Sequence, residues 1–339
     1  MNEIWWGQVF RSASPPRIAN FLKLLMGLGI SSIMRKSRVW GIPAVLVVEP
    51  TALCNLRCPQ CLVGLGRITR QRKVLDINLY KKVLDQIGDR LWYLLLYNQG
   101  EPFFHPQFLE LIRLAKQRGI YVSTSTNGHF LSDEATLIEL VQSGLDVIIV
   151  SVDGSDPASY SAYRQNGDFQ RVIAGITQLI HVRTQLHRKA PKVLLQCLVT
   201  KHNEHQMPAR RRLAAKLKVD RLLFKTLQIE EHESAEQFLP EEPAFRRYQG
   251  QAGTNGAKKS LNGKCFRLWY SAVLLSDGRL VPCCFDKNAH HDYGQVRLDN
   301  EFESIWKSNA SHQFRAAILQ RQSSLDICEN CTAHQKIYL

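Results

Sequence analysis

The chain has little that would carry it into or across a membrane. No uninterrupted apolar run reaches the roughly 18 residues that a bilayer span needs. Met1 to Phe10 is aromatic and has no basic lead-in, so no export signal is evident. A cytoplasmic location is the expectation. Glycine-rich phosphate loops are missing as well: neither G-x-G-x-x-G nor a Walker loop occurs, which argues against a nucleotide-binding doubly wound sheet. No internal repeat or long low-complexity tract is evident. Acidic side chains are scarce beside basic ones, 30 against 44, and the net charge is +14. That balance favours acidic or phosphorylated partners. The basic residues fall in short clusters (Arg35-Lys36, Arg210-Arg211-Arg212, Arg246-Arg247, Lys258-Lys259), none interleaved with aromatics as a single-strand binder requires. A solvated basic surface is expected, and nucleic acid is not.

What is there is an ordinary globular composition, 45% hydrophobic and 22% charged over 339 residues. That length holds one large α/β domain plus a small appendix. Residues 1–40 read as a leader. Ile18 to Lys36 has apolar residues at near-helical spacing and a basic end, which would suit a membrane surface, but an N-terminal helix packed on the protein is expected. From Ala44 onward, short apolar runs recur: "AVLVVEP", "RLWYLLLYNQGEP", "GIYVSTSTNG", "LDVIIVSVDG", "PKVLLQCLVT" and "DRLLFKTLQ". Helical stretches separate them at Leu79–Ile87, Pro106–Arg118, Asp133–Ser143, Phe169–Leu186 and Asn203–Leu217, with Ser132 as the expected cap of the third. Strand–helix alternation of this kind predicts a parallel sheet and an α/β partial (β/α)6 barrel over 41–228. Its chemistry belongs at the C-terminal strand ends. Residues 229–263 read as an irregular linker. Residues 264–339 read as a small Cys-rich domain containing a β-hairpin turned at "SDGR".

Nine cysteines in a chain without an export signal do not suggest a disulfide framework. Cys54, Cys58 and Cys61 are spaced C-x3-C-x2-C after the first strand. Three thiolates can hold three irons of a four-iron cluster and leave the fourth iron open for a small molecule. Zinc with a distant fourth ligand, or three buried thiols, are the alternatives. Near the C-terminus, Cys265, Cys283, Cys328 and Cys331 offer four thiols with no open place, which suits a closed cluster or a structural zinc.

"CNLRCPQC" in a loop after the first strand resembles the radical S-adenosylmethionine (radical SAM) enzymes. "QGEP" (Gln99–Pro102), "TNG" (Thr126–Gly128) and "VSVDG" (Val150–Gly154) resemble that family's strand-end segments, in order. Two positions depart from the pattern: Gln99 stands for a glycine, and Gln60 for the usual aromatic before the last cysteine. The resemblance implies a 4Fe-4S cluster on Cys54, Cys58 and Cys61 that binds S-adenosyl-L-methionine (SAM) and cleaves it reductively to a 5′-deoxyadenosyl radical. It implies an electron donor such as flavodoxin or ferredoxin. It places Gly100 and Glu101 at the methionine amino group, and Asn127 and Ser151 near ribose and carboxylate. Gln196, a polar residue in an apolar strand, suits the barrel interior and the cofactor, which turns Cys197 toward the helices; the opposite phase would make Cys197 an interior hydrogen-atom donor. Arg164 in "YRQNG" could face a carboxylate, but a surface arginine is the expectation. No catalytic residue beyond these stands out.

The pattern Cys265 … Gly278-x4-Cys283 … Cys328-x2-Cys331 resembles the SPASM extension in its shorter twitch form, which implies a second, auxiliary 4Fe-4S cluster, with zinc as the alternative. Cys284 neighbours Cys283 and faces the other way. The substrate is the least legible point. Peptide modifiers of this family often carry an N-terminal peptide-binding domain, and only about fifty residues precede Cys54. The expectation is therefore a carbohydrate-like or other small molecule, dehydrogenated or epimerised. A peptide- or protein-modifying maturase is the alternative, and a non-catalytic Fe–S or zinc-binding interaction protein the more distant one.

Overall fold

The computed structural model describes residues 6–230, 235–247, 265–321, 325–329 and 331. Two helices, α1 (Trp6–Arg11) and α2 (Pro15–Met34), precede the alternating part. There follow β1 (Val45–Val48), α3 (Ile77–Ile87), β2 (Tyr93–Leu95), α4 (Phe108–Gln117), β3 (Tyr121–Thr126), α5 (Glu134–Gln142), β4 (Val147–Ser151), α6 (Pro157–Ser161), α7 (Phe169–Gln185), β5 (Lys192–Val199), α8 (Met207–Leu217) and β6 (Arg221–Thr226). Then come α9 (Arg267–Tyr270), β7 (Ser271–Leu274), β8 (Arg279–Val281), β9 (Gly294–Gln295), α10 (Phe302–Trp306), α11 (Asn309–Arg321) and α12 (Asp326–Glu329).

The strands form one nine-stranded sheet ordered β6-β5-β4-β3-β2-β1-β7-β8-β9. Pairing is parallel from β6 through β7 and antiparallel at β8 and β9. The first six strands lie side by side in chain order with no reversal point. This is a partial (β/α)6 barrel and not a doubly wound sheet. The Cys-rich hairpin forms around Gly278, whose φ of +87° needs glycine. It is not set apart from the barrel sheet: β7 pairs with β1 from Val45↔Ser271 to Val48↔Leu274.

Alternation along the strands sorts their two faces. Leu46, Val122, Ile148, Val150, Leu195 and Cys197 face the helices in the main core. The opposite, concave face begins with a plug of Tyr93, Tyr121, Val147, Leu194 and Leu223, joined by Val9 of α1. Further along the same face come Ser151 and Gln196, paired in register across β4 and β5. The barrel interior is thus apolar at the strand starts and polar at the strand ends. The helices cover the other side with stripes at helical spacing; α3 buries Leu79, Tyr80, Val83, Leu84 and Ile87. Each such large side chain contributes about 1.5–3 kcal/mol by leaving water.

Three local expectations change. The cap of α5 is Asp133, whose carboxylate accepts from Thr136 N at 2.8 Å, while Ser132 accepts from Arg171. Both residue types cap well, and the helix starts one residue later than the spacing implied. The helix expected from Asn203 begins at Met207, after a 3-10 turn over Glu204–Gln206. And α2 is a single 20-residue helix, long and apolar enough by length and composition to cross a membrane, although Arg17, Asn20 and Lys23 interrupt its apolar sequence.

At the end of β1, Glu49 forms an ion pair with Arg70 at 2.6 Å, and both side chains are fully buried. Removing one partner leaves a buried charge unpaired. Arg70→Ala should therefore cost roughly 3–5 kcal/mol in urea denaturation, and the double variant Glu49→Gln/Arg70→Met should cost less than that single change.

Candidate functional site

The chain leaves the sheet at Glu49 and returns at Leu75, with Thr51 bridged to Val74 and Leu75 N donating to Pro50 O at 2.9 Å. This loop carries Cys54, Cys58 and Cys61. Local hydrogen bonds shape it: Leu56 N donates to Cys54 Sγ at 3.4 Å, and Cys61 N to Cys58 O at 3.2 Å. Leu56 and Cys58 pack against Tyr163, Leu227 and Phe238. Burial pushes the Cys58 thiol up to about 12 and the Cys54 thiol up as well. Their thiolates therefore need a cation, and an electron-poor metal centre supplies one. Among the described residues, no three His, Cys, Asp or Glu side chains converge closely enough to hold a single metal ion.

Glu101 lies beside this loop and is buried. Its backbone N donates to Leu53 O at 2.7 Å. Its carboxylate accepts from Thr126 Oγ1 and from Asn127 N, both at 2.7 Å. Burial outweighs these bonds and raises the carboxyl to about 7. A cation brought to it would restore the ionised form. Gly100 makes the approach possible. Its φ is +75°, and a Cβ there would lie 2.4 Å from Thr51 O and 2.7 Å from Leu53 O.

Asn127 is already engaged. Its Nδ2 donates to Asn55 Oδ1 at 2.7 Å and lies 3.8 Å from Cys54 Sγ, and its Oδ1 accepts from His129 N. It pins the cysteine loop to the end of β3. Ser151 and Gln196 sit next to one another on the concave face, at the ends of β4 and in β5. Cys197 faces the helices and is fully buried, with its thiol pushed up to about 12 by burial.

Arg164 is not the surface arginine that its sequence position suggested. Its Nε donates to Asp153 at 2.5 Å, its Nη1 lies 3.9 Å from Cys58 Sγ, and only 17% of its side chain is exposed. Asp153, fully buried, also accepts from Leu198 N at 2.6 Å. A buried acidic partner eleven residues away was the missing signal. Gln60 also gains a role: its Oε1 accepts from Glu230 N at 2.8 Å, and Glu230 pairs with Lys287. Where the family usually has an aromatic, this chain has a hydrogen-bonded strap to its C-terminal part.

The second group is brought together too. Cys265, Cys283, Cys328 and Cys331 line one apolar cavity with Arg267, Leu268, Phe285 and Phe314 on its walls. Burial raises the Cys283 and Cys265 thiols and brings that of Cys328 to about 12. Cys284 is half-buried and is not among the residues lining that cavity.

Because Gly100 carries its conformation and close approach in one position, Gly100→Ala should destabilise the metal-free protein by more than about 1 kcal/mol in urea. It should also speed the reaction of Cys54 with a thiol reagent as the Thr51–Leu53 backbone is pushed aside.

Residues 48–184 match the family model described as "Radical SAM superfamily", and residues 265–332 the "Iron-sulfur cluster-binding domain" model, SPASM. A "Tungsten-containing aldehyde ferredoxin oxidoreductase cofactor-modifying protein" from Pyrococcus furiosus is 26% identical, with 85% of this chain and 86% of that protein covered. "Mycofactocin maturase MftC" from Mycobacterium tuberculosis is 25% identical, with 85% and 75% covered. The structure of SuiB from Streptococcus suis bound to S-adenosylmethionine superposes with a TM-score of 0.64 at 15% identity, over 91% of this chain and 75% of that one. The chain belongs to the radical SAM superfamily and carries a SPASM-type domain in its C-terminal part, and is therefore an enzyme that works with S-adenosylmethionine and iron–sulfur clusters.

Proposed function

We propose that this protein is a maturase that modifies a peptide or protein substrate by radical SAM chemistry. Relatives that match along 85% of the chain support this reading, since they are named as modifying or maturing proteins. The expectation of a carbohydrate-like substrate rested on how few residues precede Cys54. That is an argument from where the sequence begins, and it gives way.

The observation that carries the chemistry is the three-thiol loop at the C-terminal strand ends with the buried Glu101 carboxylate beside it. Cys54, Cys58 and Cys61 would hold a four-iron cluster and leave one iron open. With SAM bound, that group supplies a 5′-deoxyadenosyl radical to a substrate C–H bond. Glu101 would hold the amino group of SAM by a charge-assisted hydrogen bond. Gly100 gives it access, and Asn127 keeps the loop in place. Ser151, Gln196 and the Arg164 guanidinium would face the ribose and carboxylate. Cys265, Cys283, Cys328 and Cys331 would enclose the auxiliary cluster, with Arg267 offsetting its negative charge. We assign residues 41–228 to the catalytic barrel and 264–339 to the auxiliary domain. The linker over 229–263, like the segments at 332–339, lies largely outside the described residues. A reducing cytoplasm and a small acidic electron carrier such as flavodoxin or ferredoxin suit the free thiols and the basic surface.

Iron counting tests the ligand assignment. Anaerobically reconstituted protein should carry about eight irons, and the triple variant Cys54→Ala/Cys58→Ala/Cys61→Ala about four. Four irons falling to near none, with one zinc retained, would make the C-terminal group a zinc site instead.

The pH dependence of SAM binding tests Glu101. Its raised pKa means that the carboxylate is complete only above about 7 and is lost as pH falls through that value. An α-amino group loses its proton near 7.7–8.0. Affinity measured by equilibrium dialysis should peak between about 7 and 8 and fall by up to about tenfold per pH unit on the acidic side. Glu101→Gln should bind weakly and lack the acidic limb.

A further inference from the structure

The N-terminal helix α2 is packed the wrong way round for a helix that faces only water. Its buried positions are Arg17, Asn20, Leu24, Gly27 and Ser31, mostly polar or small. Its exposed positions include Ile18, Leu22, Leu25, Met26, Ile33 and Met34, with Ile33 as much as 83% exposed. A surface helix of a water-soluble domain buries its apolar stripe and shows its polar one.

The buried polar groups are fully used. Asn20 donates to Ile42 O and accepts from Ile42 N, both at 2.9 Å, just ahead of β1. Arg17 donates to Leu91 O and Arg118 O at 2.7 Å each, just ahead of β2 and β3. Ser31 accepts from Arg38 N at 2.8 Å. These bonds lock α2 across the N-terminal strand ends and fix its apolar side outward. They also keep it from spanning a bilayer, because one side is committed to the protein.

Along the chain through this helix the charge is of one sign, while Asp89, from the turn before β2, is the acidic group that acts on Arg17 at its start. No acidic residue lies between Glu3 and Glu49, while Arg11, Lys23, Arg35, Lys36 and Arg38 are all exposed. Trp40, 45% exposed, stands beside the basic end. An exposed apolar helix face flanked in sequence by exposed cations and a tryptophan is the composition that seats in the headgroup region of an anionic bilayer.

We propose that α2 docks the protein on an anionic membrane surface as a monotopic helix. The cysteine loop leaves β1 at the opposite, C-terminal end of the strand, so the docked protein turns its reactive end to the aqueous side. The docking is independent of the chemistry assigned above.

Co-sedimentation of the full-length, cluster-loaded protein with vesicles tests it. Vesicles of equal parts phosphatidylglycerol and phosphatidylcholine should bind the protein at least about tenfold more tightly than phosphatidylcholine alone, and added salt should weaken that binding. Tryptophan emission should shift to the blue, and Trp40→Phe should remove most of the shift. Leu22→Glu/Met26→Glu, at exposed positions, should keep its melting temperature and iron content but lose about tenfold or more in vesicle binding. Absence of binding to the anionic vesicles, or binding that the double variant leaves intact, would overturn the proposal. So would a dimer in sedimentation velocity that the same double variant disperses, which would give the face to a second copy of the chain.

Discussion

The carboxylate of Glu49 is the point on which the two cysteine regions are jointly hung. It is fully buried at the end of β1 and receives Arg70 Nη2 at 2.6 Å, Ser276 Oγ at 2.8 Å, Asn98 Nδ2 at 3.1 Å, and the backbone N of Gln99 and Ser276 at 3.3 Å. A buried charge persists only when it is paired and its remaining lone pairs are satisfied, and here they are. The donors come from three places. Arg70 lies on the returning limb of the first cysteine loop, Asn98 and Gln99 lead into Gly100 and Glu101, and Ser276 turns the hairpin between β7 and β8. Arg70 also donates to Lys287 O at 2.7 Å, close after Cys283 and Cys284. One carboxylate thus sets the height of the first loop, the approach of Glu101 and the seat of the C-terminal strands.

That arrangement explains which features were readable along the chain. The strands were readable because their β-branched runs, such as Val45–Val48 and Val147–Ser151, repeat between amphipathic helices. The cysteine spacings were readable because a loop of thiols has few other uses. Glu49 was not, because a glutamate before Pro50 looks like any strand terminus, and its partners lie 21 to 227 residues away. Arg164 was misread for the same reason: its partners Asp153 and Cys58 meet it only through the fold. The parallel pairing of β7 with β1 is equally non-local, so the hairpin was visible but its place in the main sheet was not. For α2 the near-helical spacing was legible, but which side faces the protein was not, because Arg17 and Asn20 find buried backbone partners that no aliphatic side chain can satisfy.

The two cysteine groups share a further property. In each, burial raises the thiols: Cys58 and Cys328 reach about 12, and Cys54, Cys265 and Cys283 are raised too. If these thiols are the ligands proposed above, loading would release protons and be favoured as pH rises. The free energy of loading would then also order whatever is tied to the ligands. For the first loop those ties run from Gln60 to Glu230 and on to Lys287, and from Arg70 to Glu49 and Ser276. Both routes lead to the segment that carries Cys283. The first loop and the segment carrying Cys283 are thus linked by two polar routes, and glutamine at position 60 supplies one of them. The barrel and its C-terminal segment are coupled through these polar contacts as well as through the pairing of β7 with β1, so neither cysteine group is held by its own local chain alone.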